Sequence, residues 1–102
     1  LNKNIKNFFL TKKMWCASST HYKEEKICGV VHKKLKKKYK NLLTIIIPRH
    51  IHRVKEIVNE ITKLGLKVHI HNSKKRIDPK TDIYLVNSFG QTKSFFKICK
   101  TV

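Results

Sequence analysis

The chain has 102 residues, of which 40% are hydrophobic, and a formal net charge of +18 that is mostly lysine. This length supports one domain at most, and the apolar runs are far shorter than the ~20 residues of a membrane-spanning helix. The amino terminus begins with Leu1 rather than Met and lacks the apolar core and cleavage site of a secretory signal. We therefore expect a soluble segment of a longer protein. The charge favours an anionic partner, although a coding bias toward lysine at exposed positions would give the same composition.

Residues 1–12 alternate weakly between polar and apolar side chains and are expected to form a lead-in segment. Within it, residues 8–10 are apolar and are expected to pack onto the domain that follows. The apolar run Met14–Ser18 then predicts a buried strand. Two hydroxyl residues after it are candidates for the N-cap of a helix, Ser19 and Thr20.

The first predicted helix reaches Lys40. Glu24 and Glu25 fall in its opening turns, where carboxylates interact favourably with the positive end of the helix dipole. Apolar side chains at helical spacing are expected to form its core-facing side: Ile27, Val30, Val31 and Leu35.

The almost entirely apolar stretch Leu42–Ile47 predicts a strand buried on both faces, and Pro48 ends it. Three basic side chains come next: Arg49, His50 and Arg53. A second helix is predicted from Val54 to Leu64 by apolar residues at i, i+3, i+4 and i+7. Gly65 is expected to end that helix in the left-handed conformation.

The alternating segment Leu66–Ile70 predicts a third strand near a sheet edge, with His69 and His71 on its solvent face. Residues 72–81 are polar and predict a loop. A fourth strand is predicted at Ile83–Val86. Apolar residues beyond it indicate a last short helix: Phe95, Phe96 and Cys99.

This alternation of strands and helices indicates right-handed crossovers in a parallel sheet. We predict an α/β fold in which residues 13–102 form a truncated Rossmann-like, three-layer α/β/α domain with a mainly parallel sheet of about four strands. The three cysteines have irregular spacing and indicate buried free thiols in a reducing compartment: Cys16, Cys28 and Cys99.

Polar side chains collect where three of these strands end. They are Ser19, Thr20 and His21 after the first, Arg49 and His50 after the second, and Asn87, Ser88, Gly90 and Gln91 after the fourth. In a doubly wound sheet these ends share one edge, where helix N-termini favour an anion such as a phosphate. The alternative is that the hydroxyl residues only cap a helix and the basic residues only form a solvated turn.

No complete catalytic motif occurs: the sequence has no GxxxxGK[ST], GxGxxG, GxSxG or HExxH. Its six acidic residues offer no convincing catalytic pair. The His50-x-His52 and His69-x-His71 pairs lack nearby cysteine or carboxylate ligands. We therefore predict no catalytic residue, no metal site and no cofactor.

Three segments together carry a family resemblance: WCASSTHYKEE at 15–25, IIIPRHIHR at 45–53 and NSFGQ at 87–91. They resemble the carboxyl-terminal lobe of bacterial 3-deoxy-D-manno-octulosonic acid (Kdo) transferases. The patterns of that family are W-x-A-A-S-T-H-x-G-E-E, P-R-H-x-x-R after a strand, and D-T-x-G-E. Order and spacing agree over nearly the whole chain.

The resemblance implies part of a GT-B glycosyltransferase that transfers Kdo from CMP-Kdo to a lipid A precursor in lipopolysaccharide biosynthesis. It places the parent enzyme at the cytoplasmic face of the bacterial inner membrane. Positions 19–21 match S-T-H and positions 49–50 match P-R-H, so these residues would hold the donor phosphate and the sugar carboxylate. Positions 87, 88, 90 and 91 match the third motif and would add hydrogen bonds to the donor.

The sequence also departs from the family patterns. Lys23 replaces a glycine, Asn87 and Ser88 replace Asp-Thr, and Gln91 replaces a glutamate, which weakens an acid/base role for the third motif but keeps its hydrogen bonding. By the resemblance, we expect the lobe that binds the acceptor and supplies the catalytic base and the membrane anchor to lie outside this sequence, which would end just before the family's Gly-Gly-Ser strand end. We expect a monomer that folds but does not turn over.

The charge leaves a second class open, a small basic nucleic-acid-binding module. No RRM, KH, zinc-finger or helix-turn-helix signature supports it, and the lysines are dispersed along the chain. An anionic membrane surface is the other partner that the charge favours.

Overall fold

The computed structural model describes residues 3–20, 23–49, 51–71 and 76–87, and within these ranges all side chains except those of residues 3–6, 18–20 and 51. The elements in chain order are helix α1 (Lys3–Leu10), strand β1 (Lys13–Thr20), helix α2 (Glu24–Lys36), strand β2 (Leu42–Pro48), helix α3 (Val54–Lys63), strand β3 (Val68–Ile70) and strand β4 (Ile83–Leu85). A short 3-10 turn, Ile51–Arg53, leads into α3. The predicted last helix, with Cys99, lies outside the described residues.

All four strands are parallel, in the order β1-β2-β4-β3, which confirms the α/β prediction. Helices α2 and α3 contribute to one apolar cluster, whereas α1 contributes to another on the opposite face of the sheet. Ile77, in the described stretch of residues 76–82 that leads into β4, packs against the cluster on the α1 side. The described part of the chain therefore has helices on both faces of the sheet.

Strand β2 is the centre of the core, because every residue in it is buried. Ile45 and Ile47 face the cluster with Phe9, and Ile46 faces the cluster with Ile57 of α3. Burial of an aliphatic side chain of this size contributes ~1.5–3 kcal/mol. The sequence prediction of a strand buried on both faces is confirmed.

The lead-in segment contains helix α1, which packs through its aromatic residues. Phe9 is 3% exposed, and its ring meets that of Tyr84 edge-on with centroids 5.1 Å apart. Phe8 packs against the same cluster. Leu10 is 84% exposed, so the expectation that it packs onto the domain is wrong. Thr11 ends the helix by hydrogen bonds to the carbonyl of Phe8.

The predicted cap of α2 is wrong. Ser19 and Thr20 are the last residues of β1, and the helix begins only at Glu24. Its N-cap is Lys23, which makes no capping hydrogen bond with its side chain and adopts φ = 74°. This left-handed backbone conformation is costly for any residue with a Cβ, and it explains why the resembling family pattern has glycine at this position.

The predicted core face of α2 is wrong at Ile27 and Val30, which are exposed, whereas Val31 and Leu35 are half-buried. The buried residues are Glu25, Cys28, Gly29 and His32, whereas Ile27 is 62% exposed. A Cβ on Gly29 would lie only 2.8 Å from Cδ1 of Leu64, so this glycine lets the end of α3 approach α2 closely. The helix can bury the polar side chains of Glu25 and His32 because both have partners inside the domain.

One of these side chains, His32, lies in a buried polar cluster near the amino ends of β2 and β4. Its Nε2 is 3.3 Å from Oδ1 of Asp82, and its Nδ1 is 2.8 Å from the hydroxyl of Thr44. Because a carboxylate only accepts, we assign the proton to Nε2, and the Thr44 hydroxyl then donates to Nδ1. Burial lowers the pKa of His32, against the opposing effect of Asp82. Burial also opposes charge on Asp82, but hydrogen bonds from Lys36 and the Lys67 amide prevail and hold its pKa below the usual value.

Strand β3 lies at the sheet edge as predicted, but it is shorter, and the prediction for its histidines is wrong. His69 and His71 are 9% and 4% exposed. Both rings pack against Tyr84, whose hydroxyl is 2.6 Å from Nδ1 of His71. The alternation places Val68 and Ile70 on the α3 face, and the histidines meet the aromatic cluster on the other. The edge strand is therefore covered on both faces.

Candidate functional site

The carboxyl ends of three strands meet at one edge of the sheet. Thr20 of β1 pairs with Pro48 of β2, and Ile46 of β2 pairs with Leu85 of β4. The register shifts between Ser18 and Thr20, so an irregularity falls at the last residues of β1. Such bulges often lie beside binding sites, where they redirect a side chain. The shared edge predicted from the sequence is thus present in the fold.

The predicted site residues are described to different extents. For Ser19 and Thr20 the structure gives the backbone alone, at the end of β1, and Arg49 is exposed directly after the buried Pro48. The others, His21, His50, Ser88, Gly90 and Gln91, lie outside the described residues. Their roles, and those of Ser19, Thr20 and Arg49, stay predictions.

Asn87 is the described residue at the end of β4. It is half-buried, and its Oδ1 is a buried acceptor without a hydrogen-bond partner among the groups that the structure describes. A buried acceptor without a donor costs free energy. The Asn87 side chain therefore has unused acceptor capacity near the edge where the strands end.

Arg53, which the sequence presents beside Arg49 and His50, is engaged inside the protein. Its Nη2 and Nη1 donate to Oε1 and Oε2 of Glu25 at 3.0 and 3.4 Å, and its Nε donates to Glu56 at 3.2 Å. The hydrogen bonds that Arg53 donates to Glu25 raise the pKa of the guanidinium above its ordinary value. Arg53 thus neutralises a carboxylate in the first turn of α2. Both Glu25 and Arg53 are noted in the sequence, but no pattern in the sequence indicates that they form an ion pair.

Helix starts and cations give the edge its electrostatic character. Helices α2 and α3 both begin there, so their N–H groups and dipoles favour an anion. The exposed carboxylate of Glu24 lies in the first turn of α2 and opposes this effect. Exposed Arg49 offers a planar, bidentate donor suited to a phosphate or a carboxylate.

Other kinds of chemistry find little support in the ranges described. They contain no group of three or more His, Cys, Asp or Glu side chains placed to hold a metal ion. Cys16 and Cys28 are buried thiols outside any disulfide of the described residues, as predicted. Burial, followed by the charges of Glu25 and Glu24, raises the pKa of Cys28 to about 11, so its thiol is a poor nucleophile at neutral pH.

No family model matches the chain. Among curated proteins, it is 32% identical over 87 residues to the probable 3-deoxy-D-manno-octulosonic acid transferase, mitochondrial, of Arabidopsis thaliana. It is 31% identical over 98 residues to 3-deoxy-D-manno-octulosonic acid transferase of Rickettsia bellii. These matches cover 84% and 96% of the chain but only 20% and 22% of the two relatives. The chain thus spans about a fifth of the length of these proteins.

A solved structure has the same fold. The crystal structure of the C-terminal CMP-Kdo binding domain of WaaA from Acinetobacter baumannii superposes with a TM-score of 0.80 at 23% sequence identity. The match covers 95% of this chain and 50% of that one. The Rossmann-like architecture predicted from the sequence is therefore confirmed.

Proposed function

We propose that this chain, which is homologous to one segment of the Kdo transferases, is part of the donor-binding lobe of such an enzyme and holds CMP-Kdo at the carboxyl edge of its sheet. The observation that carries the proposal is the register, which brings the ends of β1, β2 and β4 to the edge where α2 and α3 begin. The solved domain of the same fold is named for binding CMP-Kdo, which supports the choice of ligand.

The donor carries two anionic groups, a phosphate and a sugar carboxylate, and the proposed site has matching donors. Ser19, Thr20 and His21 would bind with the N–H groups at the start of α2, and Arg49 and His50 with those leading into α3. Asn87, Ser88, Gly90 and Gln91 would complete the site with neutral hydrogen-bonding groups. Asn87 Oδ1, which has no partner among the described groups, supports this last role, since a hydroxyl or amine of the donor would satisfy it.

The reaction of the parent enzyme needs more than this segment. An acceptor hydroxyl of a lipid A precursor would attack the anomeric carbon of Kdo while CMP leaves, and the cationic edge would stabilise charge on the departing phosphate. A general base must lie within hydrogen-bond reach of that hydroxyl. We place no such base in this chain, and we expect donor binding without turnover from the chain alone. Detectable Kdo transfer would contradict this assignment.

An NMR titration of the chain with CMP tests the proposal. We expect amide shifts to concentrate at residues 18–24, 49–53 and 86–91. Arg49→Gln should weaken binding, whereas Lys80→Gln, which removes an exposed charge in the loop before β4, should not. Shifts caused by an oligonucleotide at moderate salt, with none caused by CMP, would favour the nucleic-acid-binding module instead.

An anionic membrane surface is the proposed location of the parent enzyme, at the cytoplasmic face of the inner membrane. In support, α2 exposes the apolar side chains of Ile27 and Val30, and Lys23 and Lys26 are exposed nearby. Each basic residue near such a surface contributes ~1 kcal/mol. None of the helices in the described ranges is long and apolar enough to cross a bilayer. Binding to vesicles that does not increase with their anionic lipid content would count against this location.

A further inference from the structure

The ion pair between Glu25 and Arg53 is unusual for its burial. The Glu25 side chain is 0% exposed and that of Arg53 is 11% exposed. The two guanidinium nitrogens Nη1 and Nη2 each donate to a different oxygen of the carboxylate, so the contact is bidentate. Bidentate geometry fixes orientation as well as distance.

The pair connects the first turn of α2 with the 3-10 turn before α3, the two segments that follow the proposed donor-binding positions at the ends of β1 and β2. Glu25 lies in the first turn of α2, just after the turn that leaves β1. Arg53 closes the 3-10 turn that follows β2 and precedes α3. A movement of either turn relative to the other would stretch this contact, so the ion pair couples the start of α2 to the 3-10 turn before α3.

Stability alone is a weak account of such a pair. Desolvation of two charges offsets most of their attraction, and apolar residues of similar volume often stabilise a fold as well or better. The adjacent apolar core could accommodate them, since Cys28 and Ile57 lie one turn further along the same two helices and are buried. What apolar residues could not supply is a directional contact between the two turns.

We propose that Glu25 and Arg53 are positioning residues that hold the two donor-binding turns at the spacing needed for one anionic ligand to contact both. The role in donor binding rests on the proposed function, whereas the mechanical coupling of the turns does not. Glu56 contributes by holding the Nε edge of the same guanidinium.

Three variants test the proposal: Glu25→Gln, Arg53→Lys and Asp82→Asn. Glu25→Gln removes the negative charge and one hydrogen-bond acceptor. Arg53→Lys keeps the positive charge but loses the planar guanidinium that donates two parallel hydrogen bonds. Asp82→Asn is the matched control, because it also alters a buried carboxylate in an ion pair but at the opposite end of the sheet. Amide hydrogen exchange and CMP affinity are measured for each variant beside the thermal midpoint.

We expect Glu25→Gln to speed exchange at residues 49–53 and to weaken CMP binding about tenfold, the loss expected if the displaced turn gives up one hydrogen bond to the anionic ligand. Arg53→Lys should speed exchange at residues 18–24 and weaken binding by a smaller factor. Asp82→Asn should lower the thermal midpoint with CMP affinity within about twofold of the original. Affinity losses that simply follow the thermal midpoint in all three variants would overturn the positioning role.

The exchange measurement keeps the two proposals separate. If the unaltered chain binds no CMP, the proposed function fails. The rate of amide exchange in the turn opposite each substitution then tests by itself whether the ion pair couples the two turns. Unchanged exchange at residues 49–53 in Glu25→Gln, and at residues 18–24 in Arg53→Lys, would overturn it. Arg53→Lys keeps the test decisive if Glu25→Gln does not fold.

Discussion

Lys23 offers a direct test of how the first strand-to-helix turn is built. Its φ of 74° lies in the left-handed region, which costs a residue with a Cβ roughly 1–2 kcal/mol. Glycine avoids that cost but brings ~0.4–1 kcal/mol of extra entropy in the unfolded chain. The Lys23→Gly variant should therefore be more stable than the Lys23→Ala variant, with an unfolding free energy higher by ~0.5–1 kcal/mol. Comparing glycine with alanine removes the contribution of the lysine side chain, which both variants lack.

Chemical denaturation and thermal unfolding of both variants give the comparison. A difference of this size corresponds to roughly 2–8 °C in the thermal midpoint of a domain of this length. The control is Val30 in the middle of α2, where Val30→Gly should be less stable than Val30→Ala by ~1 kcal/mol. If glycine is less stable than alanine at both positions, position 23 is not left-handed in the folded chain and the reasoning fails.

Three further predictions concern other parts of the domain. Gly65 has φ = 83°, and a Cβ at this position would meet no other group within 4 Å. Gly65→Ala should therefore lower the unfolding free energy by ~1 kcal/mol through backbone strain alone. Urea denaturation measures this change, and an equally stable variant would contradict the prediction. Tyr84→Phe removes the hydroxyl that contacts Nδ1 of His71, and it should lower the unfolding free energy by ~1–2 kcal/mol in the same assay. An unchanged unfolding free energy would mean that this hydrogen bond contributes nothing to stability. Burial lowers the pKa of His32, His69 and His71 below 6.5, so the unfolded chain binds more protons there; stability should be full above pH 6.5 and fall on acidification, by at most ~1.4 kcal/mol per pH unit for each histidine. Unfolding free energy that stays constant from pH 7 to pH 5 would refute this last prediction.

The order of strands and helices was accessible from the sequence because apolar periodicity and turn residues are local signals. Strand β2 shows this best, since an almost continuous apolar run has few alternatives to burial on both faces. Its end at Pro48, and the turn that carries Arg49, followed from the same local pattern.

The errors about the buried face of α2 and the histidines near β3 arose because these side chains depend on partners distant in the sequence. The inward face of α2 could not be inferred from hydrophobicity, because Glu25 and His32 are buried only with Arg53 and Asp82 in place. The burial of His71 likewise depends on Tyr84, which lies in a neighbouring strand of the sheet. The shared edge of the site was predictable from parallel topology alone, whereas its internal ion pair was not.

The strand order has a consequence for how the chain forms during synthesis. Strand β3 is made before β4, yet its only described neighbour in the sheet is β4, which also separates it from β2. Until residues 83–85 have left the ribosome, β3 has no described strand to pair with, and the apolar face of α3 lacks Ile83 and Leu85 beneath it. A nascent chain stopped before Ile83 should thus hold the β1-β2 pair with α2 at most, and the rest of the sheet should assemble in one late step.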